Sequence, residues 1–209
     1  MNSAEADLKI ERMIQTQLIN RDIRDPRVID AFRKVKRHLF VRSEDIDYAY
    51  EDTPLSIGFG QTISQPYMVA KITETAQIQD DDRVLEIGAG SGYQAAIATQ
   101  LCKKVYAVEV IKELAEFAEN NLKKAGINNV EIITKSGFHG YPEQSPYDRI
   151  ILSAAAEQIP EKLFEQLKEN GIMVAPVGTY PQTLFRFTKQ NGQIIKERFL
   201  NCVFVPLVR

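Results

Sequence analysis

The stretch at residues 84–92 constrains the fold of this chain more than any other part of its sequence. It reads Val-Leu-Glu-Ile-Gly-Ala-Gly-Ser-Gly, so a short apolar segment, predicted as strand Arg83–Ile87, runs directly into three alternate glycines, Gly88, Gly90 and Gly92. Glycine permits a tight turn and lets the backbone approach a ligand closely, while a following helix supplies unpaired N–H donors in its first turn. The stretch therefore predicts the strand, turn and helix of a nucleoside-binding α/β fold.

Short apolar strands alternate with helices over the rest of the central region. Further strands are predicted at residues 105–108, 130–134, 149–152 and 172–177, and helices near residues 92–100 and 111–122 and after Pro160. This alternation is typical of a doubly wound, mostly parallel sheet. It stops after Pro181, where two strand-like segments flank Asn191-Gly192, a strong hairpin signal. We therefore expect antiparallel strands at one edge of the sheet.

The first 80 residues are predicted to hold helices and one long loop. Residues 4–20 repeat apolar side chains with helical spacing, and Asp25 followed by Pro26 is typical of an N-cap and a first helical residue. Residues 51–65 are rich in glycine, proline and polar side chains, a composition that predicts a long loop of the kind that often carries function. A third helix is expected directly after Ser64.

The composition suits one globular domain, because 44% of the 209 residues are hydrophobic and 26% are charged. We expect a single domain over residues 1–209, with an N-terminal helical and loop segment at 1–80 and a ligand-binding core at 81–209. The net charge of -2 predicts no broad attraction to nucleic acids or to membranes. A charged N-terminal segment, no long apolar run and only two cysteines predict a cytoplasmic protein.

Glu109 supports a nucleoside ligand, since it ends the second predicted strand of the core. A carboxylate at this place can accept hydrogen bonds from both hydroxyls of a ribose. The dinucleotide fingerprint Gly-x-Gly-x-x-Gly is not matched, because Tyr93 stands where its last glycine would be. This spacing favours S-adenosylmethionine. A nicotinamide dinucleotide, or a glycine turn that binds nothing, stays open as an alternative.

A longer motif carries a family resemblance. Residues 60–70 read Gly-Gln-Thr-Ile-Ser-Gln-Pro-Tyr-Met-Val-Ala, and this stretch resembles the signature of protein-L-isoaspartate O-methyltransferases. The likeness covers roughly residues 8–208 and continues at Arg37-His38-Leu39-Phe40-Val41, Leu85-Glu86-Ile87-Gly88, Pro146-Tyr147-Asp148, Ala175-Pro176-Val177-Gly178 and Val203-Phe204-Val205-Pro206-Leu207. The resemblance implies a Rossmann-like, class I S-adenosylmethionine-dependent methyltransferase fold.

The same resemblance implies a reaction. A methyl group passes from S-adenosylmethionine to the free α-carboxylate of L-isoaspartyl residues in damaged proteins, and the ester then closes to a succinimide. S-adenosyl-L-homocysteine is the other product. An α-carboxyl group has a reference pKa of about 3.3–3.7 and is ionised at neutral pH, so no general base is needed. The resemblance implies Ser64 as the catalytic residue that holds this carboxylate; the alternative is a helix N-cap, a frequent place for serine.

For the cofactor, the resemblance implies contacts from the loop before the third helix, from the glycine turn and from the ends of the next strands. These residues are Ile63, Ser64, Gln65, Met68, Glu86, Gly88, Ala89, Gly90, Gly92, Glu109, Val110, Ser136 and Gly137. Glu86 is expected to approach the methionine ammonium group, with an ordinary polar strand end as the alternative. Ser136 stands where relatives usually carry an aspartate near the adenine, which puts cofactor affinity in doubt.

Two other functional classes stay open. One is a methyltransferase with a different substrate, although Ser153-Ala154-Ala155-Ala156 replaces the Asn/Asp-Pro-Pro-Tyr signature of enzymes that methylate base amines. The other is a non-enzymatic adaptor that retains the fold. His38 and His139 lack partners at ligand spacing, so we expect no metal. The expected partners are isoaspartyl proteins and peptides, with no nucleic acid and no membrane, and the expected state is a monomer.

Overall fold

A layer of helices comes first in the chain, which the computed structural model describes over residues 3–208. Helix α1 spans Ser3–Met13 and continues into a π-helical turn at Ile14–Ile19, α2 spans Pro26–Lys34, and α3 spans Pro66–Ala76. Asp25 caps α2, because its side chain accepts a hydrogen bond from the Arg27 N–H at 2.8 Å. The predicted start of α2 is thus confirmed. Within the described residues, no helix combines the length and the apolar character needed to cross a bilayer.

The segment at residues 51–65, predicted as a long loop, contains a hairpin. Strand β1, Leu55–Gly58, pairs antiparallel with β2, Gln61–Ile63, and Leu55 lies opposite Ile63. The loop prediction was wrong here, because strands of four and three residues are too short to show a clear alternation of apolar and polar side chains. Two 3₁₀ turns, Arg37–Leu39 and Ser43–Tyr48, connect α2 to this hairpin.

The central sheet has seven strands, five of which are parallel. The parallel strands are β3 at Arg83–Ile87, β4 at Lys104–Glu109, β5 at Val130–Thr134, β6 at Tyr147–Leu152 and β7 at Leu167–Val177. The remaining helices are α4 at Tyr93–Ala98, α5 at Lys112–Lys124 and α6 at Glu161–Glu165. Apolar clusters pack on both faces of the sheet, so the predicted doubly wound fold is confirmed.

Two strands begin at least two residues earlier than predicted. Strand β6 begins at Tyr147 and not at residue 149, and β7 begins at Leu167 and not at residue 172. The added part of β7 holds Lys168, Glu169 and Asn170, which are exposed and polar. No apolar pattern marks these residues as a strand, and pairing of Leu167 with Tyr147 extends the ladder across an irregularity.

The last two strands, β8 at Gln182–Gln190 and β9 at Gln193–Cys202, are antiparallel additions beside β7. Asn191 and Gly192 join them with positive φ angles of 52° and 73°, as a tight two-residue hairpin turn requires. The predicted hairpin is confirmed. After β9 the chain returns to the carboxyl end of β6, where the Ala155 N–H donates to the Val205 carbonyl at 2.8 Å.

Strand β3 lies where the winding of the sheet reverses. The spatial order is β5-β4-β3-β6-β7-β8-β9, so the chain goes from β3 outward to β5 and then crosses back to β6 on the other side of β3. In open α/β sheets, ligands bind in the crevice outside the carboxyl ends of the strands at this switch point. The glycine turn after β3 lies at that crevice.

Candidate active site

The glycine turn after β3 forms the floor of the candidate site. The N–H groups of Gly88 and Ala89 both donate to the Val108 carbonyl, at 2.8 and 3.1 Å, so the turn is tied to β4. Gly90 has a φ of +54°, and a Cβ atom there would lie 3.3 Å from the Ile57 side chain of the β1–β2 hairpin. Conformation and space both favour glycine at this position.

Glu109 holds the other side of the turn. One carboxylate oxygen accepts from the Gly90 N–H at 2.9 Å, and the other accepts from the N–H groups of Val110 and Ile111 at 2.9 and 3.0 Å. The side chain is buried and lines a cavity together with Gly137. Since a carboxylate has about four acceptor positions, about one remains for a ligand. Two ribose hydroxyls would use two acceptor positions, which is more than Glu109 has left.

Glu86 is a buried carboxyl group with one oxygen unpaired. Its side chain is 1% exposed, and its Oε1 accepts a hydrogen bond from the Ser153 hydroxyl at 2.7 Å. Its Oε2 has no hydrogen-bond partner among the described residues, and Glu86 lines a cavity with Ser64 and Gly88. The pKa of Glu86 is raised to about 8, mainly by burial; the hydrogen bond from Ser153 opposes this rise and the charge of Glu109 adds to it. Such a group calls for a donor, best a cation, from a ligand.

Ser64 lies between β2 and α3, half-buried, and lines the same cavity as Glu86. The alternative role as a helix cap is wrong, because Pro66 is the first helical residue and the N-cap position belongs to Gln65. Gln65 makes no side-chain cap hydrogen bond either. The Ser64 hydroxyl is therefore not used by the helix and lies at the cavity wall.

The structure brings most of the predicted site residues together in two cavities that share Gly88. The first is lined by Ile63, Ser64, Glu86, Gly88, Ala89 and Gly90, and the second by Gly88, Glu109, Val110 and Gly137. Together they form a crevice across the carboxyl ends of β3, β4 and β6. An elongated ligand can lie there with a cationic end at Glu86 and a hydroxyl-bearing part at Glu109.

Four predicted cofactor residues lie outside the lining of these cavities. The Gln65 side chain donates to Asp52, and Met68 packs in the core. Gly92 packs closely on α5 with a φ of +84°, and Ser136 begins the 3₁₀ turn at Gly137–His139 that brings Gly137 to the cavity. Their predicted contacts with the cofactor stay predictions.

Several lining residues were not predicted. Thr62, Val69, Ile72, Ser91, Tyr93, Gln94, Ser153 and Phe204 line the first cavity, and Gln61, Ile111, Ala154, Pro206, Leu207 and Val208 are among those that line the second. Ser153 follows β6, and knowledge that β6 lies beside β3 would have pointed to it. The C-terminal residues reach the site through long-range pairing, for which the sequence carries no local signal.

Both histidines form hydrogen bonds with other residues of the protein. His38 Nδ1 lies 2.7 Å from the Tyr50 hydroxyl, and the His139 carbonyl accepts a hydrogen bond from the Gln166 side chain. Among residues 3–208, no group of three His, Cys, Asp or Glu side chains is arranged to hold a metal ion.

Comparison with known proteins points to one family. The family model described as protein-L-isoaspartate(D-aspartate) O-methyltransferase (PCMT) matches residues 9–209. A protein-L-isoaspartate O-methyltransferase of Geobacter metallireducens is 48% identical over 97% of this chain and 94% of its own length. One of Opitutus terrae is 47% identical over 95% of this chain and 86% of its own length.

Solved structures agree with this assignment. A protein-L-isoaspartate O-methyltransferase superposes with a TM-score of 0.86 at 31% identity, covering 94% of this chain and 65% of that longer chain. A putative family member from Plasmodium falciparum, solved in complex with S-adenosyl-L-homocysteine, superposes with a TM-score of 0.82 at 28% identity. That likeness covers 97% of this chain and 98% of the other.

Proposed function

Because this chain belongs to the protein-L-isoaspartate O-methyltransferase family, we propose that it methylates the free α-carboxylate of L-isoaspartyl residues in proteins and peptides, with S-adenosylmethionine as the methyl donor. The observation that carries the proposal is the convergence of Glu86, Glu109 and Ser64 on one crevice around the glycine turn. The amide nitrogen of the isoaspartyl linkage then attacks the methyl ester and expels methanol, and the resulting succinimide starts repair.

The residues present fit the cofactor. The unpaired oxygen of the buried Glu86 would accept from the methionine ammonium group, and Glu109 would accept from the ribose. Gly88 and Gly90 leave room for the ligand where a larger side chain would fill the turn. When bound, S-adenosylmethionine supplies a methyl group attached to a sulfonium leaving group. The adenine would lie toward Gly137 and Leu207.

The chain's own residues mainly align the reactants. The Ser64 hydroxyl would donate a hydrogen bond to the acceptor carboxylate and hold it toward the methyl group. No proton has to be removed from that carboxylate, since it is already ionised at neutral pH. The apolar side chains of Val69, Ile72 and Phe204 line the same cavity and exclude water. Catalysis here is proximity, orientation and desolvation.

Gly90→Ala is expected to weaken cofactor binding more than it weakens the fold. A left-handed alanine costs about 1–2 kcal/mol, and at Gly90 its methyl group would also press on Ile57. Gly126→Ala is the matched control, because Gly126 has a φ of +70° with no atom within 4 Å of an added Cβ. Denaturant titration should show a loss of stability for both variants, somewhat larger for Gly90→Ala because of its contact with Ile57. Calorimetry should show weaker S-adenosylhomocysteine binding for Gly90→Ala alone. Equal affinities would argue against a ligand at Gly90.

We further propose that the protein acts as a cytoplasmic monomer and that residues 1–209 form one domain. Every residue assigned to the site comes from one chain, so no second subunit is required. Cys102 and Cys202 are buried and unpaired, which is typical of proteins in reducing compartments.

Peptide methylation tests the proposed function. The enzyme is incubated with methyl-labelled S-adenosylmethionine and either an isoaspartyl peptide or the aspartyl peptide of the same sequence. Label should enter only the isoaspartyl peptide and should be released by mild base, as a methyl ester requires. Equal labelling of both peptides, or labelling of neither, would reject isoaspartyl methylation. In the second case, binding of S-adenosylhomocysteine would indicate a methyltransferase with another acceptor, and no binding would indicate an adaptor.

A further inference from the structure

Asp52 contacts the segment that immediately follows Ser64. Its Oδ1 accepts a hydrogen bond from the Tyr67 backbone N–H at 3.3 Å, and its Oδ2 accepts from the Gln65 side chain at 3.2 Å. The same Oδ2 accepts from the Arg21 guanidinium at 2.8 Å. One carboxylate thus holds both residues that flank Pro66, directly beyond Ser64.

These contacts replace a missing helix cap. The first N–H groups of a helix have no partner within the helix, and a nearby side chain or water normally satisfies them. Neither Ser64 nor Gln65 caps α3, and Pro66 has no N–H to offer. Asp52 takes the Tyr67 N–H from outside the helix, at the end where a negative charge is favourable. The Ser64 hydroxyl is therefore free for the cavity.

The other side of Ser64 is held by the same part of the chain. Asp52 lies three residues before Leu55, which pairs with Ile63 in the β1–β2 hairpin next to Ser64. The chain from Asp52 to Ile63 folds back on itself and supports Ser64 from both directions. A shift of Asp52 would therefore move Ser64 relative to the glycine turn.

Arg21 balances the charge of Asp52. Its guanidinium lies 3.3 Å from the centre of the Tyr67 ring and pairs with Asp52. The Tyr67 hydroxyl in turn donates to Asp22 at 2.8 Å. An unpaired carboxylate beside Ser64 would repel an acceptor carboxylate, and the Arg21 cation offsets that repulsion.

We propose that Asp52 is a positioning residue for methyl transfer: it caps α3 from outside and keeps the Ser64 hydroxyl directed at the acceptor site, while Arg21 compensates its charge. The proposal rests on the proposed function, because it concerns the placement of Ser64 toward the acceptor carboxylate. Arg21, Asp52 and Ser64 all lie in the N-terminal segment at residues 1–80. This segment would therefore place the acceptor carboxylate, while the core at residues 81–209 binds the cofactor.

Asp52→Asn tests this proposal, with Asp22→Asn as the matched control. Both variants remove one negative charge from a carboxylate bonded to Tyr67, but Asp22 contacts the hydroxyl end of that side chain and the Lys71 ammonium group, away from Ser64. We expect Asp52→Asn to lower kcat for an isoaspartyl peptide roughly 10- to 100-fold, the loss typical of a misplaced reacting group. Asp22→Asn should keep kcat within about threefold.

Two further readouts separate positioning from general loss of structure. Calorimetry should give Asp52→Asn an unchanged dissociation constant for S-adenosylhomocysteine, because the glycine turn is untouched. In the Ser64→Ala background, Asp52→Asn should lower kcat little further, since both changes remove the contribution of the Ser64 hydroxyl. If Asp52→Asn unfolds at a lower temperature than Asp22→Asn, Gln65→Ala replaces it in these assays. That variant removes one of the three contacts and should show a smaller loss of kcat.

Three results would overturn the proposal: unchanged kcat in Asp52→Asn, equal losses in Asp52→Asn and Asp22→Asn, or fully additive losses with Ser64→Ala. If Gln65→Ala is used in place of Asp52→Asn, unchanged kcat in Gln65→Ala would also overturn the proposal. Failure of the proposed function looks different, because the wild-type protein would then label both peptides equally or label neither.

Discussion

Glu86→Gln is expected to raise the dissociation constant for S-adenosylhomocysteine about 10- to 150-fold, the equivalent of the roughly 1.5–3 kcal/mol that a hydrogen bond to a charged group contributes. The Oε2 atom of Glu86 is buried and unpaired, so the ligand's ammonium group would supply its only strong partner. Glutamine keeps the size of the side chain and an acceptor for Ser153, but it removes the charge. Calorimetry with both proteins measures the difference, and equal affinities would contradict a cationic group at Glu86.

Proton release gives a second readout of the same residue. Because burial raises the pKa of Glu86 from 4.5 to about 8, most free molecules carry a protonated Glu86 at pH 7. A cationic ligand favours the ionised carboxylate, so binding at pH 7 should release up to about one proton. Calorimetry in buffers with different ionisation heats should detect this release in the wild type and miss it in Glu86→Gln. A release that persists in Glu86→Gln would assign the proton to another group.

The stability of the free protein should depend on the same group. Between about pH 4.5 and 8 the folded state holds a proton on Glu86 that the unfolded state has lost. The free energy of unfolding therefore falls as pH rises through this window, by at most about 1.4 kcal/mol per pH unit. Denaturant titrations at several pH values should show a flatter profile for Glu86→Gln. Parallel profiles for the two proteins would contradict a raised pKa.

Ser64→Ala is expected to lower kcat/KM for an isoaspartyl peptide about 10- to 150-fold, because it removes a hydrogen bond to the charged acceptor carboxylate. Affinity for S-adenosylhomocysteine should stay unchanged, since the glycine turn and both glutamates are intact. Ser145→Ala is the matched control: Ser145 is exposed and bonds the Pro142 carbonyl, and it precedes the amino end of β6, whereas the site lies at the carboxyl ends of the strands. Steady-state kinetics measures all three proteins. Equal activity of Ser64→Ala and wild type would remove Ser64 from the mechanism.

Much of the fold could be predicted because its strands are buried and bounded by clear stop signals. Strand β3 ends at Ile87, directly before Gly88, and both β3 and β5 match their predicted spans residue for residue. The hairpin of β8 and β9 carries its own signal in Asn191-Gly192. The β1–β2 hairpin could not be predicted, because its strands of four and three residues are too short to show an alternation of apolar and polar side chains.

The residues of the candidate site also fall into two groups, those that the sequence predicts and those that it does not. Residues of the glycine turn and the strand ends, such as Glu86 and Glu109, could be predicted because their chemistry is local to one motif. Ser153 and Phe204 could not, since the order of the sheet strands and the return of the chain to Ala155 bring them there. Asp52 was missed for a related reason: it caps a helix that begins fourteen residues later in the chain, with no local cap to reveal the need.

The decisive experiment is a crystal structure of the protein with S-adenosylhomocysteine and an isoaspartyl peptide. We expect the ligand's ammonium group on Glu86, its ribose on Glu109 and the peptide α-carboxylate on the Ser64 hydroxyl, with the three groups in one continuous crevice above Gly88 and Gly90. A ligand seated elsewhere, or a Ser64 hydroxyl turned away from the peptide carboxylate, would contradict it.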